Sequence, residues 1–204
     1  FAHDFSGDGR LDILVLGRIH KHSPYWYENP GDTERLWEKH FVFERVRGES
    51  PALVNLRGDK SRQVICHWDG RWGWIEPVAN APRKPWKFVA VGDKQDWSQF
   101  YHGEGVGDVN GDGYADMIIG ASLYDAGEVD EGAAFVFLGD ASGVAGGDPA
   151  AADAQLESNQ ATAWLGTSVS DVGDLKCTGY ADGIVGAPTY DAGDVDEGAD
   201  YDFL

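Results

Sequence analysis

Two nine-residue stretches carry oxygen-bearing side chains at a spacing that suits a metal ion. We name them loop 1 (residues 4–12) and loop 3 (residues 108–116). Both have such side chains at positions 1, 3, 5 and 9, and a glycine at position 6. Carboxylates this close repel one another unless a cation lies between them. Calcium, which takes about six to eight oxygen ligands, fits better than magnesium, which prefers a tighter octahedron with several waters.

The predicted calcium ligands follow from their positions in the two loops. Carboxylates come from positions 1, 5 and 9: Asp4, Asp8, Asp12, Asp108, Asp112 and Asp116. Position 3 contributes the hydroxyl of Ser6, directly or through water, or the amide oxygen of Asn110. Position 7, which is Arg10 or Tyr114, contributes only its backbone carbonyl. An EF-hand is excluded because position 12 is apolar instead of glutamate. The alternative is a pair of solvated Asp/Gly turns without metal.

Loop 2 (residues 55–63) has the same length and has lost much of the ligand set. Arg57 stands at position 3 and Gln63 at position 9. A guanidinium group opposes a cation, so we expect this loop to bind none. The run Arg57-Gly58-Asp59 spells a tripeptide that integrins recognise, but in a degenerate metal loop we interpret it as a chance occurrence.

Loop 4 (residues 174–182) keeps part of the ligand set. Asp174 and Asp182 remain at positions 1 and 9, but Lys176 and Thr178 stand at positions 3 and 5. A lysine among the ligands weakens any attraction for a cation. We therefore expect weak or absent calcium binding here.

Internal repeats indicate how these loops are arranged. Residues 124–138 recur almost letter for letter as residues 190–204, 66 positions later. The first half has its own period near 50, in which Trp26-Tyr27-Glu28-Asn29-Pro30 corresponds to Trp74-Ile75-Glu76-Pro77. The chain therefore holds four units of the size of a propeller blade. The prediction is an all-β fold, a β-propeller of about four blade-like repeats that forms part of a larger propeller or a whole one.

Short apolar stretches between Gly and Asp residues predict strands rather than helices. Six such stretches are clear: residues 11–16, 41–46, 64–68, 117–121, 134–138 and 183–187. The Ala-rich residues 149–160 are the one candidate helix. Cys66 and Cys177 show no metal-binding spacing and are predicted to be unpaired thiols, with a single bridge between them as the alternative.

Charge divides the chain and excludes several functions. The net charge is −19, and residues 1–102 hold 15 of the 16 basic residues, whereas residues 103–204 hold 21 of the 35 acidic ones. So acidic a surface repels phosphate backbones and anionic lipids, which argues against nucleic-acid or membrane-surface binding. No apolar run is long enough to insert into a membrane. The two halves are predicted to contain two repeats each, in one continuous propeller.

The loops and their surroundings resemble the FG-GAP and VCBS repeats of integrin-alpha-like β-propellers. Trp164-Leu165-Gly166 before loop 4 and Gly186-Ala187-Pro188 after it are close to the Phe-Gly and Gly-Ala-Pro landmarks of that family. Tyr101-His102-Gly103 and Gly120-Ala121-Ser122 take the same places around loop 3. Residues 1–102, with their Trp-Tyr-Glu-Asn-Pro run, look more like the VCBS branch.

This resemblance implies that each loop joins the first two strands of a blade and that calcium braces the turn. It also implies a non-catalytic module, extracellular or at the cell surface, for adhesion, assembly or ligand binding, with a protein or carbohydrate partner. On the family's strand order the chain lacks the first strand of its first blade and the fourth of its last. We therefore expect a piece of a longer protein, or a subunit that self-assembles through open strand edges.

The alternative function is a propeller domain of a polysaccharide-degrading enzyme, as a lyase or a carbohydrate-binding appendage. Its support is an aromatic set that packs between blades or forms a sugar-stacking platform: Tyr25, Trp26, Tyr27, Trp68, Trp72 and Trp74. No nucleophile, phosphate-binding or zinc motif is present, although the 35 acidic residues leave a paired-carboxylate site open. The six histidines are interpreted as structural or solvated. The acidic residues 125–131 and 191–197 are interpreted as solvated loops that attract calcium.

Overall fold

The structure is a computed structural model that describes residues 1–17, 22–47, 51–57, 61–91, 94, 103–146, 148–174 and 176–203. The described residues form seventeen strands and one 3-10 helix, Pro149–Ala151. Frequent Gly and Asp turns leave only short segments between them, which suit strands better than helices. The predicted all-β class is confirmed.

The strands form four antiparallel sheets in chain order. Sheet 1 consists of β1 (Ala2–His3), β2 (Asp12–Val15), β3 (Tyr25–Glu28) and β4 (Glu38–Phe41). Sheet 2 consists of β5 (Leu53–Val54), β6 (Gln63–Trp68), β7 (Arg71–Glu76) and β8 (Lys87–Val91). Sheet 3 consists of β9 (Glu104–Gly107), β10 (Asp116–Ala121), β11 (Ala133–Phe137) and β14 (Ala154–Glu157). A separate short hairpin, β12 (Gly139–Asp140) and β13 (Gly143–Val144), lies between β11 and β14 along the chain. Sheet 4 consists of β15 (Ser168–Gly173), β16 (Asp182–Ala187) and β17 (Ala199–Phe203).

Each sheet is an up-and-down meander. Sheets 1 and 2 have the strand orders β1-β2-β3-β4 and β5-β6-β7-β8, and sheet 3 has the order β9-β10-β11-β14. Four-stranded meanders of this kind are the blades of β-propellers. The predicted architecture of blade-like repeats is confirmed, and none of the sheets formed by the described residues closes on itself.

The 66-residue repeat is preserved in the strand register. In sheet 3, Met117 pairs with Phe137 and Ala121 with Ala133. In sheet 4, Gly183 pairs with Phe203 and Ala187 with Ala199, in each case 66 residues further along the chain. The repeated letters therefore mark structurally equivalent positions, so the two sheets can be compared residue by residue.

Apolar side chains fill the space between neighbouring sheets. Ile65 of β6 packs in a cluster with Met117 and Ile119 of sheet 3, whereas Val64 and Cys66, which alternate with it, pack against sheet 1. A third cluster lies between sheets 3 and 4. Every residue of β10 is buried. A strand that is covered on both faces is typically a continuous apolar run in the sequence. The blades therefore stack face to face.

Glycines explain the landmark residues of the repeat. A Cβ atom on Gly120 would lie 2.1 Å from the carbonyl oxygen of Gly166, and one on Gly132 would lie 2.2 Å from that of Leu165. No side chain fits at these distances, since both obstacles are backbone atoms. Residues 164–166 therefore lie directly on the backbone of the preceding blade.

Three expectations about local structure are wrong. Residues 149–160 are not a helix, because Ala154–Glu157 pairs with β11 as the fourth strand and only one 3-10 turn precedes it. Residues 41–46 are not a strand, because β4 ends at Phe41. The first strand of the first blade is present, since Ala2–His3 pairs with β2. The fourth sheet has three strands among the described residues, as predicted.

Both cysteines are free thiols, as predicted. Cys66 is buried, and its pKa is raised by burial and by the nearby charge of Glu104, so the thiol is unreactive. Cys177 is exposed in loop 4. No helix within the described residues is long and apolar enough to cross a membrane.

Candidate metal centre

The four loops occupy equivalent places in the four sheets. Loop 1 joins β1 to β2, loop 2 joins β5 to β6, loop 3 joins β9 to β10, and loop 4 joins β15 to β16. Each loop therefore connects the first two strands of its blade, which is the place that the family resemblance implies. Position 9 of every loop is the first residue of the second strand, so the sheet fixes it directly.

Position 9 is a buried anchor for the loop. In loop 1 the backbone N–H groups of Phe5 and Ser6 donate to Oδ2 of Asp12, each at 2.9 Å. The N–H group of Asn29, just after β3, donates to Oδ1 of Asp12 at 2.9 Å. The Asp12 side chain is fully buried. It thus ties loop 1 to the neighbouring strand through hydrogen bonds as well as being a predicted ligand.

Asp116 has the same role in loop 3. Its Oδ2 atom accepts from the N–H groups of Val109 at 2.8 Å and Asn110 at 3.3 Å, and its Oδ1 atom accepts from Gly139 at 2.7 Å. Burial raises the pKa of Asp116 above its usual value, and the charge of Asp112 raises it further, although the hydrogen bonds oppose this. A carboxylate in these surroundings gains from a nearby cation.

Loop 2 shows that the anchor does not require charge. Oε1 of Gln63, at position 9, accepts from the N–H group of Leu56 at 2.9 Å, and Gln63 is fully buried. An amide in place of a carboxylate keeps the hydrogen bond and removes the negative charge. Sequence reasoning missed this role of position 9, although the Asp-to-Gln exchange between loops was the available signal.

Position 1 organises the turn itself. Asp4 accepts from the N–H groups of Gly7 at 2.7 Å, Asp8 at 3.1 Å and Gly9 at 2.7 Å. Partial burial raises the pKa of Asp4, but these hydrogen bonds outweigh it and hold the pKa below its usual value. Gly9 has a φ of 88°, which favours glycine.

Asp108 differs from Asp4 at the same position. Gly113 donates to its Oδ2 atom at 2.9 Å, whereas its Oδ1 atom is buried without a hydrogen-bond partner. A buried carboxylate oxygen without a partner is costly unless a cation or water satisfies it. Loop 3 therefore has an acceptor site that its own residues leave open.

Positions 5 and 7 distinguish loop 1 from loop 3. In loop 1 the guanidinium group of Arg10 forms an ion pair with Asp8, and its Nε atom donates to the carbonyl of Asn29 at 3.0 Å. The prediction that Arg10 contributes only its carbonyl overlooked this pair. In loop 3, Asp112 accepts from Nδ2 of Asn110 at 3.0 Å and has no basic neighbour at position 7.

The predicted ligand sets are partly brought together. Asp4 lies 3.3 Å from the Ser6 hydroxyl, and Asn110 contacts Asp112. The three carboxylates of neither loop lie within 4.8 Å of one another. Several of these carboxylates accept hydrogen bonds from backbone N–H groups of their own loop. The assignment of these residues as calcium ligands stays a prediction.

Among the described residues, one group of acidic and histidine side chains does converge within 4.8 Å: Glu28, Glu38 and His40. Nε2 of His40 lies 3.0 Å from Glu28, and Nδ1 lies 4.0 Å from Glu38. However, Arg83 donates to Glu28 with its Nε atom at 2.8 Å and lowers the pKa of that carboxyl. The chain itself thus supplies the cation here. Sequence reasoning missed this group because the pairing of β3 with β4 brings the three residues together.

Arg57 of loop 2 and Lys176 of loop 4 each lie beside a carboxylate. Arg57 lies 2.8 Å from the buried carboxylate of Glu76, which also receives Lys87 at 2.8 Å. This pairing supports the interpretation that residues 57–59 are no adhesion motif, and Gly58 and Asp59 lie outside the described residues. In loop 4 the ammonium group of Lys176 lies 3.8 Å from Oδ1 of Asp182.

The acidic stretch at residues 125–131 is not simply solvated, contrary to expectation. Glu131 is 1% exposed, and its carboxylate accepts from the N–H groups of Ala126 at 2.8 Å, Glu128 at 3.0 Å and Asn159 at 3.1 Å. The segment that leads to sheet 4 covers it. The second stretch, residues 191–197, is exposed as expected.

Half of the aromatic set belongs to the core. Trp26, Trp72 and Trp74 are at most 2% exposed and belong to the clusters between sheets. The packing interpretation is therefore supported for the three tryptophans, and a sugar-stacking platform loses half of its members.

Of the histidines, His20 and His102 lie outside the described residues. His67 is structural, since burial, together with the charge of Arg47, lowers its pKa to about 4.

Comparison with known proteins points to the same family. Residues 100–137 match the family model of the FG-GAP repeat. Integrin alpha-IIb of Mus musculus is 29% identical over 154 residues, which cover 72% of this chain and 14% of the relative. Integrin alpha-IIb of Homo sapiens is 31% identical over 143 residues, which cover 61% of this chain and 14% of the relative. The match thus spans about one seventh of each relative's length.

The matched region and the geometry agree. The FG-GAP match includes β9, loop 3, β10 and β11, so it contains one candidate calcium loop and the strands that hold it. The VCBS-like assignment of residues 1–102 stays a prediction. The resemblance inferred from the loops and the glycine landmarks is confirmed: residues 100–137 match the FG-GAP repeat, the chain is similar to integrin alpha-IIb, and its sheets are blade-like.

Proposed function

We propose that this integrin-like module is a non-catalytic, calcium-stabilised β-propeller that works outside the cell in adhesion, assembly or ligand binding. The observation that carries the proposal is loop 3, where an FG-GAP match coincides with a nine-residue acidic loop. In that loop one oxygen of Asp108 is buried without a hydrogen-bond partner. A divalent cation is the partner that this oxygen and its neighbours fit best.

The donor set of loop 3 fits calcium. The side chains of Asp108, Asn110, Asp112 and Asp116 and the carbonyl of Tyr114 would hold the ion. All are oxygen donors, as a hard cation requires. The net charge of −19 raises the local concentration of cations.

The donor set of loop 1 fits as well, with one competitor. Asp4, Ser6, Asp8 and Asp12 and the carbonyl of Arg10 would hold the ion. Asp8 must first leave its ion pair with the Arg10 side chain. We therefore expect loop 1 to bind calcium more weakly than loop 3.

Calcium would contribute stability, not chemistry. Bound between carboxylates, it would cancel their repulsion and hold the turn between the first two strands of a blade. At 100 times its dissociation constant, each site adds about 2.7 kcal/mol to the free energy of unfolding. Extracellular modules typically bind calcium at about 10⁻⁴ to 10⁻³ M, so continuous occupancy requires an extracellular location. The resemblance to integrin-alpha-like β-propellers favours a protein as the ligand.

Thermal melting with and without calcium tests the proposal. The wild-type chain should melt at a higher temperature in millimolar calcium than in chelator. Asp112→Ala and Asp8→Ala should each reduce that difference, because each removes one ligand set. Thr178→Ala, at the equivalent position of loop 4, is the matched control and should leave the difference unchanged. The proposal is wrong if wild-type melting is the same in calcium and in chelator.

A further inference from the structure

Loop 4 is a copy of loop 3 with its electrostatics altered. Loop 3 has three carboxylates and no basic residue, whereas loop 4 has two carboxylates and Lys176. Lys176 stands at position 3, where loop 3 has the predicted ligand Asn110. It is also the only basic residue among residues 103–204. A single cation in so acidic a region, placed at a ligand position, calls for a physical explanation.

The backbone of loop 4 keeps the hydrogen bonds of the intact loops. Asp174 accepts from the N–H groups of Thr178 at 2.8 Å and Gly179 at 2.9 Å, as Asp108 accepts from Gly113 in loop 3. Oδ2 of Asp182 accepts from the N–H group of Lys176 at 2.9 Å. The loop therefore retains the form of a calcium loop, and what differs is its charge.

The ammonium group of Lys176 lies among carboxylates. Its Nζ atom is 3.8 Å from Oδ1 of Asp182 and 3.1 Å from Oδ1 of Asp202 on β17. Asp182 is fully buried. Lys176 is thus the positive charge nearest to a buried carboxylate of loop 4.

We propose that Lys176 supplies in loop 4 the positive charge that calcium supplies in loops 1 and 3, so that loop 4 is stable without calcium. The inference rests on the proposed function of the intact loops. A second cation at this point would be repelled by the ammonium group, because like charges about 4 Å apart oppose each other strongly away from bulk water. Lys176 therefore decides whether loop 4 takes calcium.

Loop 2 also differs in charge from loops 1 and 3, but by different substitutions. Its positions 1 and 9 are Asn55 and Gln63, so amides replace both carboxylates that loop 4 retains. Its basic residue at position 3, Arg57, pairs with Glu76 of β7. In loop 2, where amides stand at positions 1 and 9, the basic side chain of Arg57 pairs with Glu76 of another strand. In loop 4, where both carboxylates remain, the basic side chain of Lys176 lies beside Asp182.

An ordinary surface ion pair is the alternative explanation. The pair between Lys176 and Asp202 is partly exposed, and pairs of this kind contribute little to stability. Lys94 provides a matched control, because its Nζ atom lies 2.6 Å from Asp69 and both side chains are more than half exposed. If Lys176 acted only at the surface, removing either lysine charge would have similar effects.

The first arm of the test uses chelator throughout. Lys176→Met removes the charge and keeps the length of the side chain, and Lys94→Met is its control. Lys176→Met should lower the melting temperature by about 2 to 4 °C more than Lys94→Met does. Equal melting temperatures of the two variants would overturn the inference. This arm contains no calcium, so it tests Lys176 even if the intact loops bind none.

The second arm measures calcium binding by isothermal titration calorimetry. The double variant Lys176→Asn with Thr178→Asp gives loop 4 the ligands of loop 3. It should bind one calcium ion more per chain than the wild type and melt at a higher temperature in calcium. A double variant that folds, by circular dichroism, but binds no additional ion would overturn the inference. A wild type that loses a calcium site on Asp174→Asn would also overturn it, whereas a wild type that binds no calcium contradicts the proposed function.

Discussion

Sheets 3 and 4 are two copies of one sequence unit that differ in what covers them. Sheet 3 lies between sheets 2 and 4, and every residue of β10 is buried. Sheet 4 has the same register, but Glu197 is exposed where its counterpart Glu131 is buried. The comparison teaches that the repeat determines the path of the chain, whereas the neighbouring blade determines which residues carry stability.

The same comparison extends to charge. In sheets 1 and 2 basic side chains pair with acids that lie wholly or partly inside, as Arg83 does with the partly buried Glu28 and Arg57 does with the buried Glu76. In sheets 3 and 4 only Lys176 is available, among 21 acidic residues in residues 103–204. Loop 3 contains no basic residue, which is why we propose a cation from solution as the partner of its carboxylates.

The largest expected difference concerns the contact between blades. Gly120→Ala should cost about 3 kcal/mol of unfolding free energy, because the new Cβ atom would meet the backbone of Gly166, which cannot move aside. The equivalent change Gly186→Ala should cost about 1 kcal/mol or less, since it meets the rotatable hydroxyl of Ser168. Urea unfolding of both variants measures the difference. Equal costs would contradict the asymmetry between sheets 3 and 4.

The second prediction concerns the paired glutamates of the acidic stretches. Glu131→Ala should cost about 2 to 3 kcal/mol, because it leaves three backbone N–H groups without their charged acceptor. Glu197→Ala should cost less than about 0.5 kcal/mol, because Glu197 is exposed. Unfolding free energies from denaturant titration provide the measurement. A large loss from Glu197→Ala would show that this end of sheet 4 is covered in solution.

The third prediction uses a buried acid of sheet 3. Both carboxyl oxygens of Glu104 are buried without a hydrogen-bond partner, and burial raises its pKa well above the usual value. The folded state therefore holds the proton more strongly than the unfolded state. The stability that this group contributes is present below pH about 4.5 and is lost as the pH rises toward the folded-state pKa.

Glu104→Gln removes this pH dependence because the amide does not titrate. The variant should gain stability relative to the wild type as the pH rises above about 4.5, with a slope of up to about 1.4 kcal/mol per pH unit. Unfolding free energies measured between pH 4 and pH 8 test it. If the unfolding free energies of the wild type and the variant change with pH in parallel, the pKa of Glu104 is the same in the folded and unfolded states.

The smallest expected effect distinguishes the two candidate calcium loops. Arg10→Tyr gives loop 1 the residue of loop 3 and frees Asp8 from its ion pair, so calcium affinity at loop 1 should rise about two- to five-fold. Tyr114→Arg, the reciprocal change, should weaken loop 3 by a similar factor. Calcium titrations of both variants measure the factors, and an unchanged affinity in both would mean that Arg10 does not compete.

Local sequence patterns predicted most of the path of the chain. The nine-residue loops, the strands on either side and the 66-residue register follow from turn residues and repeats, which act over a few positions. Distant contacts were not predictable. The burial of Glu131 depends on residues that approach from the next sheet, and Ala154–Glu157 forms a strand because β11 offers an edge that outweighs its alanine-rich composition.

Within the candidate metal centre, the sequence indicated candidate ligands, which stay a prediction, but not the role of position 9 as an anchor. Asp12 and Asp116 hold the loops to the sheet with hydrogen bonds, which no spacing rule indicates. The pairing of Arg10 with Asp8 was missed as well, because the prediction assigned position 7 by its backbone alone.

An anomalous difference map from crystals grown in millimolar calcium tests the central claim most directly. The account predicts calcium peaks in loops 1 and 3, each surrounded by the oxygens of its own aspartates, and none in loops 2 and 4. Water alone in loops 1 and 3 would contradict the proposed role of their carboxylates.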